Sequence, residues 1–243
     1  QLLGPQARES IAVKHGVAIE RVQIRPKKGN AGQIVVQLTH TSPWGGEIRH
    51  PLHPTYMIGA PGDRSIRQPI ALGVDPLDTN EAKRVITKTL YIDSGVQHLL
   101  VVAGTGGGKT NLMNNIVEHL TDCADAALVM IDVTKAIDAD AWRWACLRVH
   151  CGPEAAEGAV TELEMARKLI DARSEARRAA AKKTAVFIPT AKDPILYIVL
   201  DEADQVLTGK GPLVARAQAA VKYVLSKGRS EGVGIIIAAQ RGT

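Results

Sequence analysis

Residues 101 to 110 read Val-Val-Ala-Gly-Thr-Gly-Gly-Gly-Lys-Thr, with glycine at four of the five positions from 104 to 108. Glycine in that density loses conformational entropy on folding and packs nothing. What this stretch presents is therefore its backbone. An apolar run leads in and a Lys-Thr pair leads out, which is the G-x-x-x-x-G-K-[ST] pattern of a phosphate-binding loop. Bare backbone lets successive N–H groups turn inward onto an anion. The N-terminus of the helix that follows adds unpaired N–H groups and its positive dipole end. On this reading the stretch Ala103, Gly104, Thr105, Gly106, Gly107, Gly108, Lys109, Thr110 and Asn111 cradles the phosphates of ATP. Lys109 brings a point charge to the β- and γ-phosphates, and Thr110 offers its hydroxyl to Mg²⁺. Ala103 stands where the pattern has glycine, a change that costs little if its φ is negative.

Hydrolysis needs a second set of groups, and "ILYIVLDEAD" (195–204) supplies one. Six apolar residues run into Asp201-Glu202. Asp201 at a strand tip would hold Mg²⁺ through water, and Glu202 would polarise the attacking water as a general base. The bland alternative, an Asp capping a helix, does not explain the apolar run. A third stretch, "GVGIIIAAQ" (232–240), is another buried strand ending in Gln240. Neighbouring strands of a parallel sheet end side by side at its carboxyl edge, so Gln240 would stand close enough to sense the γ-phosphate.

These groups need a frame. Short apolar runs at 98–104, 126–132, 195–203 and 232–240 alternate with helical stretches at 109–120, around Trp142, at 154–183 and at 212–228. Uninterrupted apolar strands alternating with helices predict an α/β fold with a parallel sheet covered on both faces. Before it lies a smaller pattern: a helix over 6–16 ended by Gly16, a strand over 17–25, a turn over 25–32 and a strand over 33–40. The Pro- and Gly-rich stretch 42–54 reads as a linker. This gives a small α+β module with its linker over 1–60 and a nucleotide-binding domain over 61–243.

Composition bounds the rest. The 243 residues carry a net charge of +5 and 3% aromatics, so the core must be aliphatic, and a polyanionic partner is permitted but not required. The three cysteines, Cys123, Cys146 and Cys151, include no C-x-x-C pair, which favours a reducing compartment over a disulfide framework. Cys146, His150 and Cys151 cluster in sequence but lack a fourth ligand and the usual zinc spacing. No run of 18 apolar residues is present. The basic residues Arg173, Arg177, Arg178, Lys182 and Lys183 near one helix end would form a solvated face or, as the sharper alternative, a DNA contact. Trp142, Trp144 and His98 read as structural.

Taken together, the motifs resemble those of the FtsK/SpoIIIE family of DNA translocases. "HLLVVAGTGGGKT", "IVLDEAD" and "GRSEGVGIIIAAQR" are similar to its three nucleotide motifs, and "RQPIALGVD" to the segment that precedes them. The likeness covers about 70 to 243; the first 60 residues match only the general style of actinobacterial plasmid-transfer members. The resemblance implies a RecA-like P-loop NTPase core and an ATP-driven hexameric ring that moves double-stranded DNA. It implies an arginine finger given by the neighbouring subunit, for which Arg229 has the matching spacing. It also implies a cytoplasmic location, at the inner face of the cell membrane if an anchor lies outside this stretch. Conjugative plasmid transfer is the expected setting, with chromosome segregation behind it. One departure is the stretch Asp132-Val-Thr-Lys135, where the family often has Asp-Pro-Lys. Family members also continue beyond the third motif, so the chain is expected to extend past Thr243. Two rivals stay open: a type VII secretion-like ATPase that moves polypeptide, and a non-motor ATP-binding switch.

Overall fold

The computed structural model describes residues 5–27, 29–39, 64–75, 85–104, 106–134, 139–152, 154–180 and 184–240. The predicted linker at 42–54, Thr105, Lys135, Lys182 and Lys183 lie outside them. The chain divides into two compact units, one of Gln1–His50 with Gly73–Ile86 and one of Pro51–Leu72 with Thr87–Thr243.

In the first unit, helix α1 (Pro5–His15) ends at Gly16, whose φ of 64° is the left-handed turn of a helix stop. The predicted strand over 17–25 is corrected: Ile19–Arg21 form a 3₁₀ turn, and strand β1 (Val22–Lys27) begins only after it. The predicted turn over 25–32 is also tighter, because β1 and β2 (Asn30–Leu38) pair antiparallel as far as Lys27 and Asn30. The register shifts between Pro26 and Lys27, where a proline that cannot donate to a ladder is tolerated. Ala12, Val22 and Ile24 form its small buried cluster.

The second unit holds the five-stranded parallel sheet. Strands β3 (Ile70–Val74) and β4 (Val85–Lys88), whose residues fall partly in each unit, form a two-stranded sheet of their own; within the second unit β5 (Tyr91–Ile92) and β6 (Gly95–Val96) pair separately. The main run is then β7 (Leu99–Ala103), α2 (Lys109–Thr121), β8 (Ala126–Asp132), β9 (Arg148–Cys151), α3 (Ala155–Ala179), β10 (Ile195–Asp201), α4 (Asp204–Leu207), α5 (Pro212–Glu231) and β11 (Val233–Gln240). The order across the sheet is β7-β11-β10-β8-β9. The fourth apolar run, β11, thus lies between the strand that carries the glycine loop and the strand that carries Asp201.

Both faces are covered, as the uninterrupted apolar runs require. Leu128 and Met130 of β8 point to one face and pack with Met113, Ile116, Val117 and Leu120 of α2. Val129 and Ile131 point to the other and pack with Ala159, Leu163 and Ile170 of α3 and Ala217, Ala220 and Val224 of α5. Alanine at the α3–α5 contact lets two helices share the space above three strands, a substitute for the missing aromatics. Around Trp142 the chain passes from helical residues 139 and 140 into turns closed by Trp142 N–H to Ala139 O (3.1 Å) and Ala145 N–H to Trp142 O (3.0 Å). Among the described residues no helix is long and apolar enough to cross a membrane.

Candidate functional site

All the parallel strands end on one side, and the site is built there. β7 stops at Ala103, which pairs in register with Gln240 at the end of β11. Asp201 at the end of β10 pairs with Asp132 at the end of β8. Between β7 and α2 the glycine loop turns over the sheet edge. Gly106 (φ 75°) and Gly108 (φ 81°) hold left-handed conformations that an L side chain rarely adopts. Gly107 passes so close to Gly104 that a Cβ there would meet the Gly104 carbonyl oxygen at 2.9 Å. Three glycines of the motif are thus explained by backbone geometry. The loop, Thr110, Asn111, Asp132, Asp201 and Gln240 line one cleft of about 290 Å³.

Lys109 begins α2, is buried to 9% exposure, and reaches across the cleft floor. Its Nζ donates to Asp201 Oδ1 at 2.6 Å and to Glu202 Oε1 at 2.7 Å. Burial opposes the ammonium charge, but the hydrogen bonds and charges of Asp201 and Glu202 outweigh it and hold the Lys109 pKa above the usual lysine range. Gln240 Nε2 donates to the same Glu202 Oε1 at 2.7 Å. The Glu202 N–H donates to Asp201 Oδ1 at 2.8 Å. Glu202 has φ 51° and is alone among the described non-glycine residues in having positive φ. Such backbone costs on the order of 1–3 kcal/mol and tends to sit at functional sites. Here it folds the Glu202 carboxylate back over the strand end, beside Lys109 and Gln240, and does not let it continue outward.

The fold therefore brings together Ala103, Gly104, Gly106, Gly107, Gly108, Lys109, Thr110, Asn111, Asp201, Glu202 and Gln240. It does not bring Arg229. That residue lies near the end of α5, before β11 begins, and its guanidinium donates to Ser94 Oγ. An eight-residue strand separates it from the Gln240 edge, roughly 26 Å at the rise of a β-strand.

Two arginines of the basic helix end take a different role from either reading of it, while Arg178 is exposed and donates to Ser174 Oγ on its own helix. Arg173 donates to the Gly232 and Pro194 carbonyls at 2.9 and 2.7 Å, pairs with Asp193 at 2.7 Å, and stacks over the Phe187 ring at 3.8 Å. Arg177 holds Glu231 and the carbonyls of Thr184 and Ala185. These two arginines clamp α3 to the α5–β11 junction, so neither is a solvated charge or an exposed DNA contact. Cys146 and Cys151 are free thiols, and His150 Nε2 lies 2.9 Å from Glu162 Oε1. Sequence reasoning left Asp132 and Thr134 without a role, although both line the cleft.

A parallel sheet with β11 between the loop strand and the acidic strand, a glycine loop onto a helix N-terminus and an acidic strand tip define the P-loop ATPase fold. No family model matches the chain, and no curated protein matches it in sequence. Solved structures do match in fold. A monomer form of the pCW3 conjugation coupling protein TcpA, with ATPγS, aligns at TM-score 0.60 and 14% identity, covering 100% of this chain and 66% of that one. The cytoplasmic domain of the Thermomonospora curvata type VII secretion ATPase EccC aligns at TM-score 0.53 and 20% identity, covering 84% of this chain and 24% of that one. The chain thus spans less than two thirds of either. The expected resemblance holds at the level of fold: the architecture is shared with a conjugation coupling protein and a secretion ATPase.

Proposed function

We propose that this chain is the ATPase core of a motor of the FtsK/SpoIIIE type that moves double-stranded DNA, with conjugative plasmid transfer as its setting and chromosome segregation as the second. The observation that carries the reading is the convergence of Lys109, Asp201, Glu202 and Gln240 at one sheet edge under a glycine loop. The substrate is ATP. The loop N–H groups and the α2 N-terminus receive its phosphates. For Lys109 to meet the γ-phosphate, its ammonium exchanges the Asp201 and Glu202 oxygens for phosphate oxygens. That exchange frees Glu202 to take a proton from water, so nucleotide binding and activation of the base are one event. Thr110 and Asp201 are hard oxygen donors on the cleft wall, a set that suits Mg²⁺. The ion would neutralise phosphate charge there.

The position of Arg229 far from its own cleft supports action on a neighbouring subunit's site, as in a hexameric ring. Such a motor would work at the cytoplasmic side of the membrane. The shared fold with a conjugation coupling protein extends along all of this chain, which favours DNA as cargo. The fold shared with a secretion ATPase supports a second reading, in which the cargo is polypeptide. The deciding experiment is the ATP hydrolysis rate with double-stranded DNA, with an unfolded polypeptide, and with neither. Stimulation by DNA alone is expected. Stimulation by polypeptide alone would replace the first reading with the second.

A further inference from the structure

The cleft has a flank to which none of these roles is assigned. β8 ends at Asp132, in register with Asp201, on the side of β10 away from β11. Asp132 is 2% exposed, and with Thr134 it lines the same cleft as Lys109, Glu202 and Gln240. Its Oδ1 accepts two hydrogen bonds from Thr134, from the N–H at 2.9 Å and from the hydroxyl at 3.2 Å. A threonine hydroxyl has one proton and two lone pairs. The proton of Thr134 is committed to Asp132, so what the hydroxyl presents to the cleft is acceptor alone. An acceptor is repelled by phosphate oxygens, which are acceptors too. It suits a group with protons to give, and in a hydrolytic cleft that group is water.

We propose that Thr134 holds the water that attacks ATP, with Asp132 as the positioning residue behind it. The inference rests on the ATPase reading above and adds a residue to it. The water gives one O–H to the Glu202 carboxylate and the other to Thr134 Oγ1, which turns a lone pair toward the γ-phosphorus. The water oxygen–phosphorus bond forms. The bond to the β–γ bridging oxygen breaks, and its electron pair leaves on ADP. The proton passes to Glu202, while Thr134 neither gains nor loses one. Gln240 and Thr134 then stand on opposite flanks of β10, one bonded to the base and the other to the nucleophile.

The test measures single-turnover ATP hydrolysis and binding of a fluorescent ATP analogue on wild type, Thr134→Val and Thr134→Ser. Valine keeps the shape and removes the acceptor; serine keeps the acceptor and removes the methyl. Thr134→Val is expected to slow hydrolysis roughly tenfold to a hundredfold, the effect of a misplaced reactant. Its nucleotide affinity is expected to stay within about twofold of wild type. Thr134→Ser is expected to recover most of the lost rate. An unchanged rate in Thr134→Val overturns the inference. So does an affinity loss as large as the rate loss, which would mark a phosphate or metal contact, and so does a serine variant as slow as valine, which would mark a packing role. A wild-type chain that does not hydrolyse ATP overturns the ATPase reading and this inference with it, an outcome distinct from a hydrolysing wild type indifferent to Thr134.

Discussion

Gln240 and Glu202 are joined by a hydrogen bond of 2.7 Å, on the same carboxylate oxygen that receives Lys109. Gln240 ends β11 and Glu202 directly follows β10, 38 positions apart. Their bond wires the proposed phosphate sensor to the proposed base, so Gln240 also fixes where the Glu202 carboxylate points. Gln240→Ala should lower the maximal hydrolysis rate by about tenfold to a hundredfold with little change in nucleotide affinity. Steady-state kinetics with a parallel binding titration checks this, and equal loss in both would show a binding role.

Lys109 is the counter-charge of two carboxylates that are themselves only 15% and 13% exposed. Lys109→Met should weaken nucleotide binding at least about tenfold and destabilise the fold by about 1–3 kcal/mol at neutral pH. The folded pKa of Lys109 is raised, so its contribution is fully present below the ordinary lysine value and lost as pH rises through the folded one. The gap in unfolding free energy between wild type and variant should stay flat from about pH 7 to 9 and close only in more alkaline solution. Chemical denaturation across that range measures it.

His119 should set an acid limit. It is 3% exposed, and burial, helped by the charge of Arg64, pushes its pKa from 6.5 down to about 4 against the opposing pull of Asp122 and Asp125. A histidine with a depressed folded pKa contributes fully above its unfolded value and loses that contribution as pH falls toward the folded one. Stability should therefore drop between pH 6.5 and about 4, by at most roughly 3 kcal/mol from this group. His119→Gln should flatten the profile in that window, and urea titrations at stepped pH read the difference.

Tyr197 anchors the segment before the glycine loop to the sheet. Its hydroxyl lies 3.0 Å from the Leu90 carbonyl and 2.9 Å from that of Gln97, so one proton is shared between two acceptors. Its ring lies against Gly234, where a Cβ would come within 2.3 Å of it. Gly234→Ala should cost about 1–3 kcal/mol by overpacking, and Tyr197→Phe about 1–2 kcal/mol by taking the hydroxyl from the Gln97 carbonyl, since the Leu90 carbonyl still accepts the Gln97 N–H at 2.8 Å. Thermal melts of both variants check the pair; a neutral Gly234→Ala would mean the ring can move.

The parts of this molecule legible in its sequence are those encoded locally. The glycine loop is contiguous, and each central strand announces itself as an apolar run, so the predicted strand at 126–132 matches β8 residue for residue. β9 escaped because Arg-Val-His-Cys carries neither an apolar run nor clean alternation, and β5 and β6 because two residues hold no pattern. Choice of partner is not local at all. Nothing in the sequence near Arg173 or Arg177 tells that Glu231, Asp193 and Phe187 will close around them. The left-handed Glu202 and its bond to Gln240 likewise depend on how β10 and β11 end side by side. The cleft was legible as a set of residues and illegible as a network.

If this network binds ATP and hydrolyses it through Glu202, loss of that carboxylate must stop the chemistry and spare the binding. The most direct measurement compares wild type with Glu202→Gln, an isosteric change that keeps a hydrogen-bond acceptor but removes the base, in nucleotide binding and in hydrolysis on the same preparation. The variant is expected to bind ATP as tightly as wild type and to hydrolyse it slower by at least on the order of a hundredfold. A variant that hydrolyses ATP at the wild-type rate would contradict that role for Glu202.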